Sequence, residues 1–176
     1  YFDNASTTQK PQCVLDTIIN YYTQYNANIH RGAYGIAEKA TFKFENARKE
    51  VAKFINANND EIIFTKGTTE SINLVSYTFE SMLEDNDEII LSEMEHHSNI
   101  IPWQRIKEKK NIKLKYIPVL ENGELDIDTL DSLISKKTKL ISIIYMSNIL
   151  GTINPINKIR EIAKNKKIPF LIDAAQ

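Results

Sequence analysis

From residue 61 onward the sequence alternates between two periodicities, and few folds accept that alternation. Short apolar runs of β-type residues stand at 61–65 (EIIFT), 87–92 (DEIILS), 112–117 (IKLKYI), 139–145 (KLISIIY) and 169–172 (PFLI). Between them lie segments whose apolar residues recur at spacings of three and four, such as Ile72, Val75, Phe79 and Met82, or Ile159, Ile162 and Ala163. Repeated strand–helix order predicts an α/β fold, a mostly parallel sheet covered by helices on both faces. Asp126 is expected to cap the helix that carries Leu130, Leu133 and Ile134.

Residues 1–60 read differently. A polar start, YFDNASTT, precedes a helix marked by Val14, Leu15, Ile18, Ile19 and Tyr22. A loop over residues 26–35 carries His30 and Arg31. A second helix over 36–55 places Ala40, Phe44, Ala47, Val51 and Phe54 on one stripe, expected to be core. The chain is thus predicted as a helical N-terminal arm with loops (1–60) and an α/β domain (61–176).

The charges exclude several function classes. The 22 basic and 23 acidic residues are intermixed, so neither a nucleic acid nor an anionic membrane is indicated as a partner. No apolar run approaches the roughly 18 residues of a membrane span. The single cysteine, Cys13, excludes a disulfide framework and fits a reducing compartment. With no His or basic partner close in sequence, it is expected to be a packed structural thiol. The first residue is Tyr, no signal or transit segment is visible, and targeting stays open.

Polar residues follow the apolar runs in a pattern. Residues 61–74 (EIIFTKGTTESINL) pass from a β-type run through Gly67 to Thr68, Thr69 and a helix. A helix start with free N–H groups and adjacent hydroxyls suits a phosphate or carboxylate. The competing reading is that Thr68 or Thr69 is only an N-cap. Later runs release His96 and His97, then Ser147 and Asn148, then Asp173 and Gln176. Ligands of open α/β sheets bind beyond the carboxyl ends of strands. A phosphate cradle, an imidazole, an amide and a carboxylate on that edge suit a flat, phosphorylated, cationic heterocycle. Neither G-x-x-x-x-G-K-[ST] nor G-x-G-x-x-G occurs, which disfavours an ATPase or a nicotinamide enzyme. Glu93, Glu95, His96 and His97 raise zinc as an alternative, but H-E-x-x-H and H-x-x-E-H are both missing, so no metal is expected. The bland reading of the histidine pair is a cap for the next helix.

The stretches DNASTTQKP (3–11), NANIHRG (26–32), FTKGTTESINLV (64–75), SEMEHHSNIIPWQ (92–104), SNILGTINP (147–155) and LIDAAQ (171–176) together resemble the cysteine desulfurases, pyridoxal-phosphate enzymes of the class V aminotransferase group. The HRG element and the EHHSN run resemble the branch serving SUF-type iron–sulfur cluster assembly. The resemblance implies the large domain of a fold-type I transferase, incomplete at its C-terminus. It further implies L-cysteine as substrate, a SUF sulfur-acceptor protein, a homodimer, and a bacterial cytoplasm or a plastid. By position, Thr68 and Thr69 would hold the cofactor phosphate and His97 would stack on the ring and assist proton transfer. Asp173 would pair with the pyridinium nitrogen, Gln176 would contact the ring hydroxyl, and Asn148 would lie near the substrate carboxylate. His30, Arg31 and Glu70 would sit in active-site loops. Ser6, Tyr34 and Ala174 depart from the family's usual residues without removing a contact. The family's Schiff-base lysine, in an S-x-H-K sequence, and its sulfur-accepting cysteine have no counterpart here, so these 176 residues alone are expected to be inactive. The alternatives are a selenocysteine lyase and, in a different class, a non-catalytic cofactor-binding fragment.

Overall fold

Ile89, Ile90 and Leu91 are all fully buried, and a strand buried on both faces has to be an inner one. They form β1 (Glu88–Ser92), which pairs with β2 (Lys113–Ile117) on one side and β3 (Thr138–Ile144) on the other. A last strand, β4 (Phe170–Asp173), pairs with β3. The order is β2-β1-β3-β4 and every pairing is parallel. The computed structural model describes residues 1–176 and divides into two units, Tyr1–Phe64 and Thr65–Gln176.

In the second unit, alternation along the strands sends side chains to two cores. Ile89, Leu91 and Leu140 pack with Ile72 of α3 (Thr68–Glu80) and with Trp103 and Ile106 of α4 (Ile101–Lys109). Ile90, Ile141 and Ile143 pack on the opposite face with Leu130 of α5 (Leu130–Leu133) and with Ile159 and Ala163 of α6 (Ile156–Asn165). Helices therefore cover both faces, as expected. The start of α5 differs from expectation. Asp126 makes no side-chain cap; its backbone carbonyl accepts the Thr129 N–H (3.2 Å) and hydroxyl (2.8 Å) across a 3-10 turn, Ile127–Thr129.

The expected strand at 61–65 does not form. Ile62 is extended (φ −97°, ψ 120°), yet Ile63 is 70% exposed and no strand pairs with the segment. β-propensity describes fit to a half-buried surface, and without a partner strand the run joins no sheet.

In the first unit, α1 (Gln12–Asn20) continues as a π turn, Tyr21–Tyr25, and α2 spans Gly35–Ile55. Arg48 of α2 donates to the Ile62 carbonyl, and its guanidinium lies over the rings of Phe44 and Phe64 (5.3 and 5.2 Å). The stripe read as core is only partly so. Ala40 is buried and Phe44 half-buried, but Ala47 and Val51 are exposed and Phe54 is 90% exposed. Cys13 is likewise exposed rather than packed, because α1 buries none of its residues. An apolar stripe predicts a helix face without supplying what covers it.

Candidate functional site

The strand order dictates where a ligand can sit. From β1 the chain runs out to α4 on one face, and from the adjacent β3 to α6 on the other. Loops that leave neighbouring strands in opposite directions open a crevice between them at the carboxyl edge, the topological switch point. The loop after β1 carries His97 and the loop after β3 carries Asn148.

α3 begins at Thr68, with Gly67 at its N-cap and no side-chain cap. Thr68 and Thr69 are therefore the first two helical residues rather than caps, and neither hydroxyl has a partner in the chain. The Ser71 N–H bonds the Gly67 carbonyl (3.1 Å), which leaves the amides of Thr68, Thr69 and Glu70 without helical acceptors. Nothing lies within 4 Å of where a side chain on Gly67 would start, so the approach to those amides is open. Glu70 folds back to accept the Lys66 N–H (2.5 Å), and Thr65 and Ser71 share a hydroxyl contact (2.8 Å). These bonds tie the turn together outside the free amides. α3 packs against α4 and against the 3-10 turn His97–Asn99, which brings it to the His97 loop.

The two histidines divide their work. His96 caps the turn, its Nδ1 accepting the Ser98 N–H (3.2 Å) and contacting the Ser98 hydroxyl (2.8 Å). His97 is exposed, and its ring touches only that of His96 (6.3 Å between centroids). Glu93 instead accepts the Val119 N–H (3.1 Å) and Glu95 turns inward, so the four candidate zinc ligands do not converge.

Asp173, the last residue of β4, is only 2% exposed. One of its carboxylate oxygens accepts the Ala175 N–H (3.0 Å), and its backbone carbonyl accepts the Tyr145 N–H (2.7 Å). No lysine or arginine of residues 65–176 pairs with it. Asn148 is half-buried in a loop shaped by Ser147, whose hydroxyl accepts the N–H groups of Ile149 (3.3 Å) and Leu150 (3.1 Å). Gln176 follows three residues beyond Asp173 and is exposed. His30 and Arg31 lie in the first unit. His30 has a left-handed backbone (φ 67°), its N–H bonds Thr41 Oγ1 (2.9 Å), and its ring meets Glu45 Oε1 (2.8 Å).

Sequence reasoning weighed Glu95 only as a metal ligand and missed what surrounds it. Its carboxylate accepts the Ser92 hydroxyl, the Ile144 N–H (2.9 Å) and the Asn99 amide (2.7 Å). Asn99 in turn accepts from Trp103 Nε1 (3.1 Å) and the Ser142 hydroxyl (2.7 Å). Burial, and then the nearby charge of Asp173, push Glu95 up to about 6, against the pull of those donors. The available signal was the serines, Ser92 and Ser142, set in runs that are otherwise apolar.

This is an α/β domain whose topological switch point lies between β1 and β3, with an open helix start at α3. The class-V aminotransferase family model matches residues 1–176, and the chain belongs to that family. A probable cysteine desulfurase of Halalkalibacterium halodurans is 44% identical, matching all of this chain and 44% of its own length. An apo structure of cysteine desulfurase from Thermococcus onnurineus NA1 superposes with a TM-score of 0.96 at 40% identity, over the whole chain and 44% of that protein. A structure of SspA in complex with cysteine gives 0.89 at 31% identity, over the whole chain and 50% of its own. The chain thus spans about half the length of the relatives it matches. No helix is long and apolar enough to cross a membrane.

Proposed function

We propose that the whole protein carrying these residues is a pyridoxal-phosphate-dependent cysteine desulfurase, which takes sulfur from L-cysteine, leaves alanine and passes the sulfur to an acceptor protein of SUF-type iron–sulfur assembly. The observation that carries this reading is the presence, in one unit, of a helix start at Thr68 and Thr69 whose first amides lack acceptors and of a buried carboxylate, Asp173, that no lysine or arginine of residues 65–176 pairs with. A phosphate fits the first and a protonated ring nitrogen the second. The names of the relatives support the substrate.

In this reading the hydroxyls of Thr68 and Thr69 and the free amides at the start of α3 hold the phosphate. Buried at the strand end, Asp173 would hold a ring nitrogen in its protonated form, because removing that proton would leave a carboxylate without a counter-charge. His97, exposed in the loop after β1, would stack on the cofactor and move a proton to or from the substrate. Gln176 contacts the ring hydroxyl and Asn148 the substrate carboxylate. Glu70 shapes the turn before α3, while His30 and Arg31 belong to loops that serve the substrate. When bound, the cofactor supplies an electron-withdrawing ring that weakens bonds at the substrate's α-carbon. The protein acts as a homodimer.

The test is alanine formation from L-cysteine by the purified whole protein with pyridoxal phosphate. No alanine above that given by the cofactor alone overturns the proposal. Thr68→Ala should weaken cofactor retention at least about tenfold, since a hydrogen bond to a charged group is worth about 1.5–3 kcal/mol.

A further inference from the structure

No step of the fold requires a carboxylate at position 95, in a loop that carries the chain from β1 to α4. Yet Glu95 is buried, and the three groups that donate to it are all uncharged: Ser92, Ile144 and Asn99. Asn99 then accepts from Ser142 and Trp103. All six residues are buried. The network clamps the loop at two points, Glu95 and Asn99, and His97 lies midway between them in sequence with its side chain exposed. The clamp holds the loop to β3 through Ser142 and Ile144 and to α4 through Trp103. Ile144 is also the register partner of Asp173 across the β3–β4 pairing.

We infer that Glu95 is a positioning residue: its carboxylate ties the loop bearing His97 to the strand end paired with Asp173, and so fixes the imidazole relative to that carboxylate. The inference rests on the proposed function for the meaning of His97 and Asp173, but the tie itself is a property of this chain. When ionised, above about pH 6, the carboxylate is an acceptor-only group and matches the three donors that converge on it. A glutamine of the same shape keeps an oxygen for Ser92 and Ile144 but turns an NH2 toward the NH2 of Asn99. Reversing the second member repairs this. In the pair E95Q/N99D the glutamine amide donates to the new carboxylate, which still accepts from Trp103 and Ser142.

The experiment is hydrogen exchange on the whole protein without cofactor, followed by circular dichroism in the absorption band of added pyridoxal phosphate. Glu95→Gln should raise exchange at residues 96–99 by about tenfold while α6 and β2 stay as in the wild type. It should also weaken the cofactor's dichroic band, and E95Q/N99D should restore both. Unchanged exchange at 96–99, a uniform rise throughout the protein, or failure of the double variant to recover would overturn the inference. If Glu95→Gln does not fold, the double variant alone decides: wild-type protection at 96–99 supports the tie and its loss refutes it. Should the wild type bind no pyridoxal phosphate, the proposed function falls, and the exchange measurements still judge the tie.

Discussion

Glu88 and Glu95 bracket the same strand, both buried, and they are held in opposite ways. Glu88, at the start of β1, meets Lys115 Nζ at 2.8 Å and accepts the hydroxyls of Ser135 (2.6 Å) and Thr138 (3.2 Å). Burial alone would raise it, but Lys115 and the hydroxyls outweigh that and hold it below the ordinary carboxylate range. Glu95, beyond the other end, has neutral donors only and a second carboxylate, Asp173, nearby, and is pushed up to about 6. The difference teaches where this domain keeps its cations. The amino edge of β1 neutralises its buried acid internally, whereas the carboxyl edge leaves two acids without a cation from residues 65–176. An edge so arranged favours an arriving positive charge.

The comparison breaks most sharply if both acids prove equally replaceable. Glu95→Leu strands three buried donors, and unfolding in urea should show a loss on the order of 4 kcal/mol. Lys115→Met removes one partner of a largely buried pair but leaves two hydroxyls on Glu88, so the loss should be smaller, about 3 kcal/mol. A larger loss at Lys115 than at Glu95 would invert the picture. The pH response sharpens it further. The raised value of Glu95 gives stability that is present below its ordinary pKa of 4.5 and lost as pH rises through about 6. That loss amounts to about 2 kcal/mol, and stability measured across this window should lose the slope in Glu95→Gln. Glu88 acts with the opposite sign. Its contribution is present above the ordinary range and lost as pH falls through its lowered value, so Glu88→Gln should flatten the acid limb instead. The smallest effect belongs to His96→Ala, which removes a cap from a single 3-10 turn and should cost about 1 kcal/mol in the same unfolding assay.

The sequence was most informative where a residue's neighbours in the chain are also its constraints. Ile89–Leu91 and residues 140–144 are apolar runs too short for helices, and they became the inner strands. The turn through Gly67 into two threonines was legible too, although the helix starts at Thr68 and uses neither as a cap. What failed depended on partners elsewhere. Residues 61–65 have strand composition but no strand beside them, and Phe54 has stripe periodicity but no surface against it. Glu95 failed for a related reason. A glutamate beside His96 and His97 reads only as a possible metal ligand, and the fold alone brings Asn99 and the end of β3 to it.

One consequence of the strand order concerns how the sheet meets its surroundings. Its two outer strands are unequal in their defences against further pairing. β2 carries Lys113, exposed, and Lys115, whose ammonium reaches the Leu133 carbonyl (2.7 Å) as well as Glu88. Desolvating a lysine row is costly, so that border resists an incoming strand. β4 has only Phe170, Leu171 and Ile172 before Asp173, and Ile172 is 42% exposed. The sheet is therefore polar as a growing object: it can be lengthened past β4 and is closed past β2. Left bare, the β4 border is also where separate copies would first adhere, and a lysine placed at Ile172 should keep them apart.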